Sequence, residues 1–132
     1  MSILTDAVQR WEGECLTSHS KVMFTTLNNL VHDIFQKSFK LHNHDVKKIL
    51  QYVWKEIFKS WLKEAEWSKS SHFPSIDQYI EIAKTSIAVD MMILTACYLT
   101  NSKVVVEECN WDLRNTMITN SLMVSCRLLN DL

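Results

Sequence analysis

A chain of 132 residues with a single glycine, Gly13, and a single proline, Pro74, has few ways to turn. Sheet-rich folds need many backbone positions with φ > 0, which glycine supplies at least cost, so this scarcity argues for long helices joined by few connections. The length is that of one ordinary domain. Hydrophobic residues are 47% of the chain and charged residues 22%, a globular composition that excludes a disordered tail. The formal net charge of -1 offers no electrostatic footprint for nucleic acid or an anionic membrane surface, and neither is expected as a partner.

The hydrophobic spacing divides the chain into about five helices. Asp6 to Trp11 reads as a short helix ended by Gly13. A second begins near Ser18 or Ser20, either a suitable N-cap, and carries Val22, Met23, Leu27, Leu30, Val31, Ile34 and Phe35 as one stripe. "LHNHD" breaks the chain, and Asp45 caps the next helix. Val46, Ile49, Leu50, Val53, Trp54, Ile57, Phe58, Trp61 and Leu62 there keep a three-four spacing over several turns. "SSHFPS" is a further break, with Ser75 as cap for "IDQYIEIAKTSIAVDMMILTACYL". From Ser86 to Leu99 this segment is apolar on nearly every side, with Asp90 in the middle. It is too short and too polar for a membrane span and reads as a central helix walled by others. A short helix around Val104 to Glu108 follows, and a last one from Trp111 onward with Leu113, Met117, Leu122, Met123, Cys126 and Leu129 as its apolar positions. So few helices cannot wall in an apolar one, and a fragment of a larger helical domain is expected.

Cys15, Cys97, Cys109 and Cys126 show no C-x-x-C spacing and read as structural thiols in a reducing compartment. The N-terminal "MSILTDAVQRWEGE" is neither a secretory signal nor a transit peptide, since acidic residues arrive at once. A chain expressed as it stands is therefore expected in the cytoplasm.

Two separated stretches are more specific. In "WLKEAEWSKSSHFPSIDQYIEIAKTSIA", Glu64, Ala65, Trp67, Pro74, Ser75, Gln78, Tyr79 and Ser86 fall in register with E-A-x-W, a short loop, P-[ST]-x-x-[EQ]-Y and a following helix. "CRLLNDL" is similar to R-L-x-[ND]-D-[LIV]. Both patterns, in this order, resemble plant class I terpene synthases, and "RLLND" with "SIAVDMMILTACYL" is most like the kaurene-synthase-like diterpene synthases.

That resemblance implies an all-α fold, part of the class I helical barrel with five to six helices of its α-domain. It implies Mg²⁺ (Mn²⁺ as the alternative), a prenyl diphosphate such as copalyl or geranylgeranyl diphosphate, and a carbocation that reacts in a dry cavity. Arg127 matches the diphosphate-binding arginine, Asn130 the first ligand of the second metal motif, and Asp131 that motif's second, supporting residue. Ser86, Ala88, Asp90, Met91 and Met92 match the kinked helix beside the departing diphosphate. The chain has no D-D-x-x-D. Nor does it hold the Ser/Thr and Glu that the second motif places four and eight residues beyond Asn130. Asp90, Met91 and Met92 stand where kaurene synthases read G-P-[IT], and Thr95 replaces a proline, so product specificity does not carry over. The expectation is one partial domain over residues 1–132, cut before the first metal motif and within the second. It would be inactive alone, with the parent's missing helices as its partners and a plastid as the parent's location. The alternative is a non-catalytic helical remnant that binds another helical protein.

Plainer readings stand beside these. Arg127, Asn130 and Asp131 also suit a solvated helix end. Trp54, Trp61, Trp67 and Trp111 suit core packing better than a cation-π wall. His42 and His44 read as exposed loop residues without enough ligands for a metal. Glu64 and Glu66 read as a solvated face beside Lys63 and Lys69. Asp90 is either buried with a perturbed role or turned to solvent by a kink.

Overall fold

A computed structural model describes residues 2–71, 73–101 and 116–132. The described residues form six helices and no strand: α1 (Ser2–Arg10), α2 (Ser18–His42), α3 (Lys47–Lys69), α4 (Ile76–Ser86), α5 (Val89–Leu99) and α6 (Met117–Asn130). The short helix expected around Val104 to Glu108, and the expected start of the last helix with Trp111 and Leu113, lie outside the described residues.

α3 organises the packing. Its three-four spacing puts Leu50, Val53 and Ile57 on a face that is wholly buried. They meet Val31 and Ile34 of α2, and Met91, Leu94 and Tyr98 of α5. Phe58 turns to the other side and joins Leu4, Ala7 and Val8 of α1 with Leu16, Phe24 and Leu27. Trp54 and Trp61 pack against both clusters and against each other edge-on, with ring centroids 6.5 Å apart. Trp54 and Trp61 are thus packing residues, whereas Trp67, further along α3, belongs to neither cluster. Burial also pushes the Tyr98 phenol up to about 12.

The glycine has a different task from the one its position suggests. α1 closes at Arg10, and Trp11 takes the left-handed conformation at φ 57°. The Trp11 amide donates to Val8 O (3.1 Å) and the Glu12 amide to Ala7 O (3.0 Å), the paired bonds of a Schellman ending. Trp11 is held there by its own indole, which donates to Asn28 Oδ1 at 2.8 Å. Gly13 instead admits the ring of Phe24: a Cβ on it would lie 2.3 Å from Phe24 Cδ1. Gly13→Ala is therefore expected to displace a core phenylalanine and lower stability by about 1–3 kcal/mol in a thermal or urea melt.

Other boundaries shift for local reasons. The N-cap of α2 is Thr17, not Ser18 or Ser20, and makes no side-chain cap bond. α2 runs through "LH" and ends at Asn43, whose left-handed conformation an Asn side chain tolerates well. Val46 occupies the N-cap of α3, while Asp45 Oδ1 still accepts from the Lys47 amide at 3.0 Å. Ser75 caps α4 as expected, in a capping box with Gln78. His42 is no loop residue: its Nε2 donates to Thr100 O at 2.6 Å and ties α2 to the end of α5.

The central segment is not one helix walled on every side. It breaks between Ser86 and Val89, with Ala88 left-handed at φ 60°. By length and composition Ile76–Leu99 is apolar enough to cross a membrane. In the fold it is α4, a turn and α5, with Asp90, Met91, Leu94 and Tyr98 buried and Met92 and Leu99 exposed. Only part of the expected apolar stripes is covered. Val22, Met23 and Leu30 of α2, and Met117, Leu122 and Leu129 of α6, are exposed, because no described element packs on those faces. Cys97, expected as a thiol, is disulfide-bonded, whereas Cys15 and Cys126 are free. Linear spacing carries no information on which sulfurs the fold brings together.

Candidate functional site

Three helices each contribute one polar stripe to a single cluster. On α3, Trp61 and Glu64 are three apart and share a face. On α4, Tyr79, Ala83 and Ser86 are spaced four and three. On α6, Arg127 and Asp131 are four apart, Asp131 being the helix's C-cap. α4 packs on both α3 and α6, so the stripes converge on the guanidinium of Arg127.

Arg127 Nη1 donates to Ser86 Oγ at 3.0 Å and lies 3.3 Å from Glu64 Oε1. Its Nε donates to Tyr79 Oη at 3.2 Å and lies 3.0 Å from Asp131 Oδ1. The Tyr79 hydroxyl donates to Asp131 Oδ2. The guanidinium carbon sits 5.6 Å from the Tyr79 ring centroid, within cation-π range. Ser86 Oγ donates to Glu64 Oε1 at 2.7 Å, with Ala83 O as a second acceptor at 3.1 Å. The Trp61 indole donates to Ser86 O at 2.8 Å. That carbonyl is one the break between α4 and α5 would otherwise leave unpaired.

The charge states follow. Burial works against the Arg127 cation, but the Tyr79 hydrogen bond, the charge of Glu64 and the Asp131 hydrogen bond more than offset it, so its pKa is raised. The Tyr79 hydrogen bond, helped by Arg127, holds the Asp131 carboxyl below its usual value against the effect of burial. The same bond, with burial, pushes the Tyr79 phenol up. A depressed carboxyl contributes stability above its unfolded pKa and loses it only as pH falls through the lower folded value, so the Asp131 contribution is lost on the acid side.

Of the residues predicted from sequence, Arg127, Asp131 and Ser86 are brought together. Asn130 is exposed beside them at the last turn of α6. Ala88 forms the break. Asp90 is buried, its Oδ1 accepting from the Met91 amide at 2.8 Å, which decides against a carboxylate turned to solvent. Met91 is buried, and Met92 faces outward at 69% exposure. The cluster also contains two residues whose roles the sequence reading missed. Glu64 is turned inward, unlike Glu66, which pairs on the surface with Lys63 at 3.2 Å. Tyr79 lies between Arg127 and Asp131. Both stood in the E-A-x-W and P-[ST]-x-x-[EQ]-Y patterns, which were the available signal.

Among the described residues no group of three or more His, Cys, Asp or Glu side chains could hold a metal. Asp131 is engaged by Arg127 and Tyr79, which leaves Asn130 as the accessible oxygen donor. Mg²⁺ demands about six oxygens in near-octahedral order, so these residues do not make a metal centre by themselves.

Comparison with known proteins bears on the family and the fold. Residues 1–132 match the family described as terpene synthase family, metal binding domain. The chain is 45% identical over 130 residues to S-linalool synthase of Clarkia breweri, covering 98% of this chain and 15% of that protein. It is 38% identical over 135 residues to (E,E)-geranyllinalool synthase of Arabidopsis thaliana, covering 98% and 15%. It is 32% identical over 120 residues to ent-kaurene synthase of Marrubium vulgare, covering 90% and 16%. Abietadiene synthase from Abies grandis superposes with a TM-score of 0.82 at 28% identity, over 98% of this chain and 18% of that one. The chain thus spans less than a fifth of each of these relatives. With the helices of a class I terpenoid synthase and a match along its whole length, the chain belongs to the terpene synthase family, in its metal-binding domain.

Proposed function

We propose that this chain supplies one wall of a diphosphate site in a divalent-metal-dependent terpene synthase, a lyase acting on a prenyl diphosphate. The observation that carries the reading is Arg127, an oriented, half-buried guanidinium one turn before an exposed Asn130. Arg127 Nη2 makes no hydrogen bond to the described residues, so a planar donor edge is left for an anion. Glu64 and Asp131 bring two negative charges against one positive. Alone, this cluster would not draw a diphosphate, and a divalent cation has to accompany it. In this reading Asn130 donates one oxygen to that cation, with Mg²⁺ as the metal and Mn²⁺ as the alternative, and the remaining ligands come from groups outside these 132 residues. Bound there, the cation would neutralise leaving-group charge. Arg127 would hold the diphosphate by hydrogen bonds, and Ser86 and Trp61 would fix the turn beside it.

The kaurene-synthase-like reading rests on "RLLND" and "SIAVDMMILTACYL", and names copalyl or geranylgeranyl diphosphate as substrate. The higher identity to S-linalool synthase widens the proposed class to prenyl diphosphates in general. The exposed apolar faces of α2 and α6 are where the rest of a longer helical domain would pack.

The test is a titration of the ¹⁵N-labelled chain with MgCl₂ and inorganic pyrophosphate, followed by NMR. Shifts at the Arg127 side chain, the Asn130 amide and the backbone around Ala88 are expected, saturating on the order of millimolar because the metal set is incomplete. Pyrophosphate without Mg²⁺ is expected to shift these signals less. No shift at Arg127 with both present would overturn the reading. Incubation of the chain with Mg²⁺ and geranyl, geranylgeranyl or copalyl diphosphate is expected to yield no hydrocarbon or alcohol above a boiled control.

A further inference from the structure

We propose that Tyr79 is a positioning residue for diphosphate recognition, acting through Arg127 and Asp131; this rests on the function proposed above. Its geometry is specific. Its hydroxyl accepts from Arg127 Nε at 3.2 Å while donating to Asp131 Oδ2, so it joins a donor-only guanidinium to an acceptor-only carboxylate. Its ring lies 5.6 Å from the guanidinium carbon. Together these contacts fix both the plane of Arg127 and its rotation within that plane.

The consequence falls on the remaining donor edge. Tyr79 and Asp131 occupy the Nε side, and Ser86 and Glu64 occupy Nη1, which leaves Nη2 as the one guanidinium nitrogen with no hydrogen bond among the described residues. A guanidinium without these fixtures samples several rotamers, and each anion-binding event then has to order it. Tyr79 also holds Asp131, the residue directly after Asn130, and so fixes the last turn on which the candidate metal donor stands. A purely stabilising role fits the position less well. Tyr79 is only part-buried and Asp131 is exposed, and ion pairs and hydrogen bonds at such sites add little to folding.

Tyr79→Phe keeps the ring and removes the relay. Three measurements on the chain and its variants separate the outcomes: thermal midpoint, hydrogen exchange of the Arg127 Nε–H, and affinity for Mg²⁺-pyrophosphate by NMR. Tyr79→Phe is expected to leave the midpoint within a few degrees, to speed Nε–H exchange by about tenfold, and to weaken pyrophosphate binding by about three- to tenfold. Asp131→Asn, which retains an acceptor for the phenol, is expected to fall between wild type and Tyr79→Phe. Glu66→Gln, on the surface pair, is expected to match wild type. Should wild type bind, Arg127→Ala fail to bind and Tyr79→Phe bind as wild type does with unchanged exchange, the positioning role is wrong and the site stands. A large loss of midpoint in Tyr79→Phe, with wild-type exchange and affinity, makes Tyr79 a structural residue and also overturns the role. If wild type itself binds no Mg²⁺-pyrophosphate, the proposed function fails first.

Discussion

Arg127→Ala is expected to lose pyrophosphate binding by at least about tenfold and to lower folding stability by about 2 kcal/mol. Both losses have one cause. The guanidinium is the common partner of Ser86, Glu64, Tyr79 and Asp131, and its removal strands a carboxylate whose side chain is 26% exposed. Full burial would make the cost larger, but water reaches the rim of this cluster and screens part of the loss. Because α6 is tied to α3 and α4 through these bonds, the loosening is expected to concentrate there. Amide exchange from Met123 to Asn130 should rise more than exchange in α3. Arg127→Lys tests which property matters. A lysine restores the charge but not the planar fork that addresses Ser86, Glu64, Tyr79 and Asp131 together, so it should recover only a minor part of either loss. Full recovery by lysine would show that charge alone suffices and would count against an oriented guanidinium.

Leu50→Ala is expected to be the most damaging single core change, costing roughly 3–4 kcal/mol. Leu50 is fully buried where α2, α3 and α5 meet, among Val31, Ile34, Val53 and Leu94. Truncation removes an isopropyl group and leaves a cavity that three helices cannot close without moving together. A domain of this size is typically stable by about 5–15 kcal/mol, so the change removes a large share of it and should lower the melting midpoint by roughly 10 °C. Leu122→Ala is the contrast. That leucine is 44% exposed on α6, and its truncation should stay within about half a kcal/mol. Equal effects at the two positions in far-UV circular dichroism melts would show that the α2–α3–α5 junction is not the core.

The regular elements were legible because they depend on local periodicity. α3 follows from the spacing of Val46, Leu50, Val53 and Ile57, and the capping box of Ser75 and Gln78 marks the start of α4. Local rules fail where one residue has two possible uses. Glycine terminates helices at least cost, which makes Gly13 look like the end of α1. It is needed instead because the Phe24 ring presses on it, a contact between distant positions that no local rule foresees. Val22, Met23 and Leu30 share a stripe with Leu27, Val31 and Ile34 but are exposed, because which side of an apolar helix is covered depends on its neighbours.

The candidate site divides the same way. The sequence by itself determined an all-helical chain, the family's two motifs, and Arg127 with Asn130 and Asp131 as the residues of interest, because spacing along a helix fixes which side chains share a face. Only the tertiary structure decided what Arg127 touches. Glu64, Tyr79 and Ser86 reach it from α3 and α4, at sequence separations of 41 or more in their bonds to α6. It also decided that Asp131 serves as a partner to Arg127 and Tyr79, and that Asp90 is buried. Each depends on how helices lie against one another, and that is set by the summed packing of the core, which no single stretch of sequence contains.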